Sequence, residues 1–287
     1  MKKKILSVLM GAVMCFGLCG CNGGESGSDV NGSVDNSSSD NGGASSDWNY
    51  ISGKGEIIIG ITQNVPMNYY GDDGELIGFE TEFTKAVCEK LGVTPKFQEI
   101  EWSKKEFELN AKTIDLVWNG LTVTDERKEN MLFSKSYMKN KQATVVKAEN
   151  ADKYPTTAEM ANITIAFESG SAGENVIKAD EALKNCKQVP NEAQKDALLE
   201  VKSGTADACI IDFTMAKAAT AEGTDYADLK VLENIQNTDE EYAIGARLGD
   251  TETIAKIDAA IDELAAEGKL LEIAKKYNLD DALLLGA

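Results

Sequence analysis

The stretch that most constrains this chain runs from Ile114 to Arg127. Ile114-Asp115-Leu116-Val117-Trp118 is a short, mostly apolar run, which predicts a buried strand. Small and polar residues follow in Asn119-Gly120-Leu121-Thr122-Val123, and then Thr124 or Asp125 caps a helix with acids in its first turn. Strand, polar loop, helix start is the repeating unit of open α/β sheets, and the loops at the carboxyl ends of such strands hold their ligands. Arg127, one of only two arginines in the chain, falls at this helix start. Its planar fork can grip a carboxylate with two hydrogen bonds, which lysine cannot do. Thr122 adds a hydroxyl and a backbone N–H on the same loop.

The unit recurs on both sides. Glu56–Ile61 reads as a buried strand, Asn64 to Tyr70 as a loop, and Gly71-Asp72-Asp73-Gly74 as a turn. Glu80–Leu91 has a helical apolar face (Phe83, Ala86, Val87, Leu91) with Gly92 as its stop. Thr94–Glu99 is a second strand, and Ser103 can cap a short helix through Asn110. Downstream, Ala143–Val146 and Ile163–Phe167 read as strands, and Thr156–Glu159 as a capping box. Glu168-Ser169-Gly170-Ser171-Ala172 opens a helix, whose free N–H groups suit an anion. Asn191–Ser203 is a helix. Ala208–Ile211 is a strand with Asp212 at its carboxyl end, and Asp207 in the turn before it reads as structural. Glu240–Arg247 is a returning strand, followed by helices from Asp250 or Thr251 to Glu267 and from Lys269 to Tyr277. Arg247, before a Gly-Asp turn, reads as a solvated surface residue. Strand and helix alternate, so the expected sheets are parallel and covered on both faces.

The amino terminus is a separate matter. Lys2-Lys3-Lys4 followed by an apolar run to Cys19 is an export signal, too short to span a membrane comfortably. Leu18-Cys19-Gly20-Cys21 resembles the bacterial lipobox, which implies lipidation of Cys21. Asn22 to Asp47 is Gly, Ser, Asn and Asp with almost nothing to bury, so it reads as a tether with a reach of about 25–30 Å. The net charge of −19 and pI of about 4.5 argue against nucleic acid. The absence of histidine removes Ser-His-Asp and Cys-His catalysis and histidine-ligated zinc. Cys88, Cys186 and Cys209 remain beyond the leader, an odd number that gives no disulfide framework.

Residues 119–127 resemble the binding loop of the family 3 bacterial extracellular solute-binding proteins, the polar amino-acid receptors of ABC importers. Gly78-Phe79-Glu80 and the Gly170-Ser171 turn also fit that family. The resemblance covers roughly residues 55 to 280. It implies a periplasmic-binding-protein type II fold, two α/β lobes joined by a two-segment hinge. Residues 1–20 are then the signal and 21–48 the lipidated cysteine and tether; 49–140 plus 241–287 form lobe 1, and 141–240 lobe 2.

It further implies that Arg127 holds a substrate α-carboxylate, aided by Ser171 and the Ala172 N–H from the second lobe. The Gly120 carbonyl and the Thr122 hydroxyl accept from the α-ammonium. Asp212 pairs with that ammonium or else merely caps the helix at Phe213. Trp102 covers one side of the bound side chain, with Asn119, Thr62 and Asn64 nearby. Asn64-Val65 stand where the family has an aromatic, for which Tyr69 or Tyr70 could compensate. Thr62, at a position acidic in receptors for basic amino acids, argues against such a ligand; Glu168 reverses this if it points into the cleft. The expected protein is a monomeric lipoprotein receptor that passes a free amino acid to a permease. It needs no cofactor, metal or catalytic residue. A dehydratase-like enzyme or an amino-acid sensor module is the alternative.

Overall fold

The computed structural model describes residues 47–235 and 239–286. The leader, Cys21 and the tether up to residue 46 lie outside the described residues. Everything described belongs to one compact unit.

α1 (Trp48–Lys54) buries Trp48 and Ile51 and ends on Gly55 in the left-handed conformation. β1 (Glu56–Ile61) follows, then a hairpin of β2 (Tyr69–Tyr70) and β3 (Leu76–Ile77), α2 (Phe79–Leu91) and β4 (Thr94–Glu99). α3 (Lys105–Asn110), β5 (Leu116–Val117), α4 (Asp125–Lys128) and β6 (Met131–Phe133) complete the first pass. β7 (Met138–Lys147) then leaves for the second lobe. That lobe contains β8 (Thr164–Glu168), α5 (Ala172–Ala179), β9 (Lys187–Asn191), α6 (Gln194–Ser203), β10 (Ala208–Asp212), α7 (Phe213–Ala219) and β11 (Leu229–Val231). The chain returns through β12 (Asp239–Tyr242) to β13 (Gly245–Arg247), α8 (Thr251–Ala266) and α9 (Lys269–Lys276).

Two sheets result, ordered β4-β1-β5-β13-β6 and β11-β7-β10-β8-β9. Each is mixed rather than wholly parallel. β1, β4 and β5 run together, but β13 is antiparallel to both β5 and β6; β8, β9 and β10 run together, but β7 is antiparallel to β10. The antiparallel members are the strands on which the chain crosses. β7 pairs with β12 through Met138–Lys141 and with β10 from Gln142 onward, so one ten-residue strand belongs first to the hinge and then to the second sheet. Two α/β lobes joined by two strands follow directly.

Apolar side chains on the two faces of each strand explain the cores. Ile57, Ile59 and Ile61 of β1 pack with Phe79, Phe83 and Val87 of α2 and with Ile257 and Ile261 of α8. The opposite face of that sheet holds Trp102, Leu109, Ile114 and Val117. In the second sheet, Ile165 and Ile210 face one cluster, while Val145, Cys209 and Ile211 face the other. Cys209 is therefore a core residue, and Cys88 and Cys186 are likewise buried free thiols.

Four local expectations fail. β9 takes Asn191, which the sequence placed in a helix; its residues are polar because it is an edge strand, where Pro190 also costs no ladder bond. Ser103 does not cap α3 but donates to the Glu101 carboxylate. The returning segment is two strands broken at Ala243-Ile244. Arg247 is not a surface residue. It is 7% exposed, and its guanidinium donates to Asp47 Oδ2 (2.5 Å), the carbonyls of Leu109 (2.9 Å) and Ile114 (2.6 Å), and Asp115 Oδ1 (3.2 Å). It ties the start of the folded chain to the first sheet.

Candidate functional site

The strand-loop-helix stretch sits where β5 ends, backed by α2. Gly120 adopts φ +56°, and its N–H donates to both oxygens of Glu80, at 2.8 and 3.0 Å. Glu80 also accepts from Asn68 (2.9 Å) and from the Tyr137 hydroxyl. Burial pushes its carboxyl up to about 7, against the pull of these donors. Asn119 joins the same network, donating to Thr62 Oγ1 at 2.7 Å and accepting from Asn68 at 3.0 Å. The Gly-Phe-acid motif is thus the anchor of the loop, holding it from behind.

Thr124 is the N-cap of α4, its hydroxyl accepting from the Arg127 N–H at 3.2 Å. This one-turn helix turns Arg127 back into the cleft, where it is 5% exposed. Its guanidinium donates to the Thr122 carbonyl (2.7 Å) and, across the lobes, to the Gly170 carbonyl (3.1 Å). Lys105 donates to the same Gly170 carbonyl at 3.1 Å, and to that of Trp102 at 3.3 Å. Burial, and then the neighbouring Arg127, push the Lys105 ammonium down to about 8. Two buried cations of the first lobe therefore meet one backbone oxygen of the second, and the lobes are in contact.

From the second lobe, Gly170 takes φ +73° and Ser171 caps α5, accepting from the Glu174 N–H at 3.1 Å. Glu174 in turn accepts from the Gly170 N–H at 2.6 Å. This reciprocal cap presents the Ala172 end of the helix to the cleft. Asp212, 4% exposed, does not cap α7 with its side chain. Its Oδ1 accepts from Gln142 (2.7 Å) and Asn140 (3.1 Å), and its Oδ2 from Gln194 (2.6 Å), which also accepts the Asp212 N–H at 2.8 Å. All these donors are neutral. Burial raises the carboxyl, while these amides, Tyr242 and the Arg127 charge pull it down.

Glu168, at the end of β8, is 2% exposed, and its Oε1 has no hydrogen-bond partner among the described residues. Burial and the Asp212 charge push it up to about 8, opposed by Lys105, Gln194 and Arg127. Its charge is thus felt in the cleft, by cations of the opposite lobe. At the hinge, Glu240 accepts from Gln142 (3.0 Å), the Thr122 hydroxyl (3.1 Å) and Asn140 (3.2 Å). Because Thr122 donates its proton there, its lone pairs stay available as acceptors.

Of the expected residues, Asn119, Gly120, Thr122, Arg127 and Thr62 are brought together in the first lobe; Ser171, Ala172, Asp212 and Glu168 share the cleft face of the second. Asn64 is buried, with both amide atoms unpartnered among the described residues, beside Gly120. Tyr69 and Tyr70 do not fill its side: Tyr70 is 47% exposed, and Tyr69 lies toward Lys276 and Glu82. Trp102 is buried with Leu109 and Ile114, and the Lys105 ammonium covers its ring at 4.9 Å. Sequence reading missed Lys105, Glu240, Asn140, Gln142 and Gln194. They come from a lysine-rich turn, two hinge strands and a helix start, and none lies in a local motif.

Two lobes, two crossing strands and buried groups of both signs at the interface define a solute-binding protein of the type II class. No helix among the described residues is long and apolar enough to cross a membrane. Residues 57–280 match the model of the bacterial extracellular solute-binding proteins, family 3, and the chain belongs to that family. It is 30% identical over 220 residues to the L-arginine-binding protein of Pseudomonas aeruginosa, covering 74% of this chain and 83% of the relative. It is 25% identical over 230 residues to the L-cystine-binding protein TcyJ of Escherichia coli, covering 80% and 85%. Among solved structures, an ABC uptake transporter substrate-binding protein from Streptococcus pneumoniae with bound histidine aligns with TM-score 0.75 and 34% identity, over 83% of this chain and 98% of that one.

Proposed function

We propose that this protein is the extracytoplasmic substrate-binding lipoprotein of an ABC importer, anchored through Cys21, which captures a free amino acid between its lobes and delivers it to a membrane permease. Arg127 takes the α-carboxylate, assisted by Ser171 and the Ala172 N–H. Asp212 takes the α-ammonium, with the Gly120 carbonyl and Thr122 hydroxyl as further acceptors. The observation that carries this reading is the pair of buried, opposite charges on the two lobes. Among the described residues the Arg127 guanidinium is held by carbonyl oxygens and Asp212 by neutral donors, so each lacks a close counter-ion there. A zwitterion supplies both, and it does so only when the lobes are together, which is what couples binding to closure. The test is calorimetry with the common amino acids. Arg127→Ala should weaken binding by about 2–5 kcal/mol, and Arg127→Lys should not restore it. Unchanged affinity in either variant removes Arg127 from the site.

One observation favours a second reading, an enzyme of the same fold. Glu168, raised to about 8, could hold or move a proton at neutral pH. An ancestral amino-acid-binding protein, described as a precursor of cyclohexadienyl dehydratase, aligns with TM-score 0.74 and 27% identity over 81% of this chain. Turnover of a bound substrate, rather than its return unchanged, decides for that reading.

A further inference from the structure

The polar groups inside the cleft do not balance. The first lobe contributes two cations, Arg127 and Lys105, and the second lobe with the hinge contributes three carboxylates, Asp212, Glu168 and Glu240. A zwitterion adds no net charge, so with all three carboxylates ionised, binding one leaves a negative charge in excess, and one carboxyl must keep a proton instead. The site of the excess can be named. If the α-carboxylate is met by Arg127 and the α-ammonium by Asp212, those two are matched. Glu240 accepts three hydrogen bonds and is half-buried. Lys105 is held by two carbonyls and the Trp102 ring, and it acts on Glu168 through its charge, with no ion pair between them among the described residues. Glu168 remains, nearly fully buried and with an oxygen that has no partner among the described residues. It sits two residues before Gly170, whose carbonyl receives both first-lobe cations. Across the lobes, Asn64 has an amide with no partner among the described residues, against Gly120. Two such polar side chains, one from each lobe, are costly unless something binds them.

We propose that the captured amino acid has a cationic side chain, and that Glu168 is the carboxylate that receives it, with the Asn64 amide as the first lobe's polar contact. This rests on the amino-acid reading above and narrows it. A guanidinium or ammonium brings the positive charge that the cleft lacks, and hydrogen-bond donors for Glu168 Oε1 and Asn64 Oδ1. It also has a proton consequence. The groups facing Glu168 are Asp212 at the end of β10 and Gln194 on α6, with Lys105 on α3 and Arg127 on α4 opposite; together with burial they hold its carboxyl at about 8. At pH 7 the carboxyl is therefore mostly protonated. An arriving cation favours the charged form, so binding releases most of one proton.

The experiment compares L-arginine with L-citrulline, its neutral isostere, by calorimetry on the purified full-length protein at pH 7, in buffers of differing ionisation enthalpy. Arginine should bind about 100-fold more tightly than citrulline and release a proton, while citrulline releases none. Glu168→Gln should bring the two affinities within about tenfold and abolish the release, with an unchanged far-UV circular dichroism spectrum showing that the variant is folded. Equal affinity of the unmodified protein for the two ligands overturns the inference and leaves the amino-acid reading standing. So does a Glu168→Gln variant weakened equally for both, which would assign Glu168 to the α-ammonium. Failure to bind any amino acid at all defeats the amino-acid reading itself, and this inference with it.

Discussion

Arg247→Met is the perturbation whose cost can be worked most directly from the structure. Methionine keeps much of the apolar stem and removes only the guanidinium. Four hydrogen bonds go with it: two to carboxylates, Asp47 and Asp115, and two to the carbonyls of Leu109 and Ile114. The carboxylates are not abandoned. Asp115 keeps Lys54 at 2.8 Å and the Ile58 N–H at 2.9 Å, and Asp47 keeps Lys112 at 2.8 Å. The Leu109 carbonyl keeps the Lys112 N–H at 3.1 Å, so the Ile114 carbonyl is the acceptor left without its donor, and a buried acceptor left unmade costs about 1–3 kcal/mol. The expected loss is about 2–4 kcal/mol, below the cost of leaving a buried charge uncompensated because both carboxylates keep a cation. For a chain of this size that lowers the melting temperature by roughly 4–16 °C. Scanning calorimetry measures it, and ligand affinity, measured below the transition, should not change because Arg247 lies behind the first sheet. A drop of under about 2 °C would refute the reasoning and show that water replaces the guanidinium at little cost.

Two further expectations can be checked together with it. Thr124→Ala removes the cap of the helix that carries Arg127 and should cost about 1 kcal/mol of stability, with amino-acid affinity falling about fivefold as the guanidinium loses its seat. Unchanged calorimetric affinity would mean that the loop alone positions Arg127. The stability of the ligand-free protein should fall as pH rises from about 5 to 8. Glu80 and Glu168 titrate at about 7 and about 8 in the fold against 4.5 when unfolded, so over that window the folded chain binds more protons and deprotonation favours unfolding, by a few kcal/mol. Urea unfolding followed across the range checks the sign, and a rise would contradict it.

Most of the fold was legible because it is written in local signals. The apolar runs at Glu56–Ile61 and Ala208–Ile211, the glycine stops at Gly92 and Gly204, and the Thr124 and Thr156 caps each specify an element without help from the rest of the chain. What failed was non-local. Arg247 looks like a turn residue in its own neighbourhood, and only the approach of Asp47, Leu109 and Asp115 from elsewhere in the chain makes it internal. β9 has no apolar pattern to read because only one neighbour pairs with it. The candidate site divides in the same way. Arg127 and its loop stand in one continuous stretch, whereas Asp212 owes its orientation to Asn140, Gln142 and Gln194, three amides drawn from two distant elements. Thr62 and Glu168 gave opposite hints about the ligand's side chain, and the choice between them turned on burial and on the charges across the cleft, which a linear sequence does not display.

The oxygen of Gly170 has a consequence for how this molecule behaves between captures. A peptide dipole can steady a guanidinium and an ammonium, yet it carries no net charge with which to cancel them. Jaws drawn together on that oxygen alone would shut away ions that water had been serving, with only carboxylates beyond hydrogen-bond reach offered in exchange. The clasp is therefore good enough to define the mouth's closed shape but too poor to keep it shut, and the cargo itself must supply the reason to stay closed.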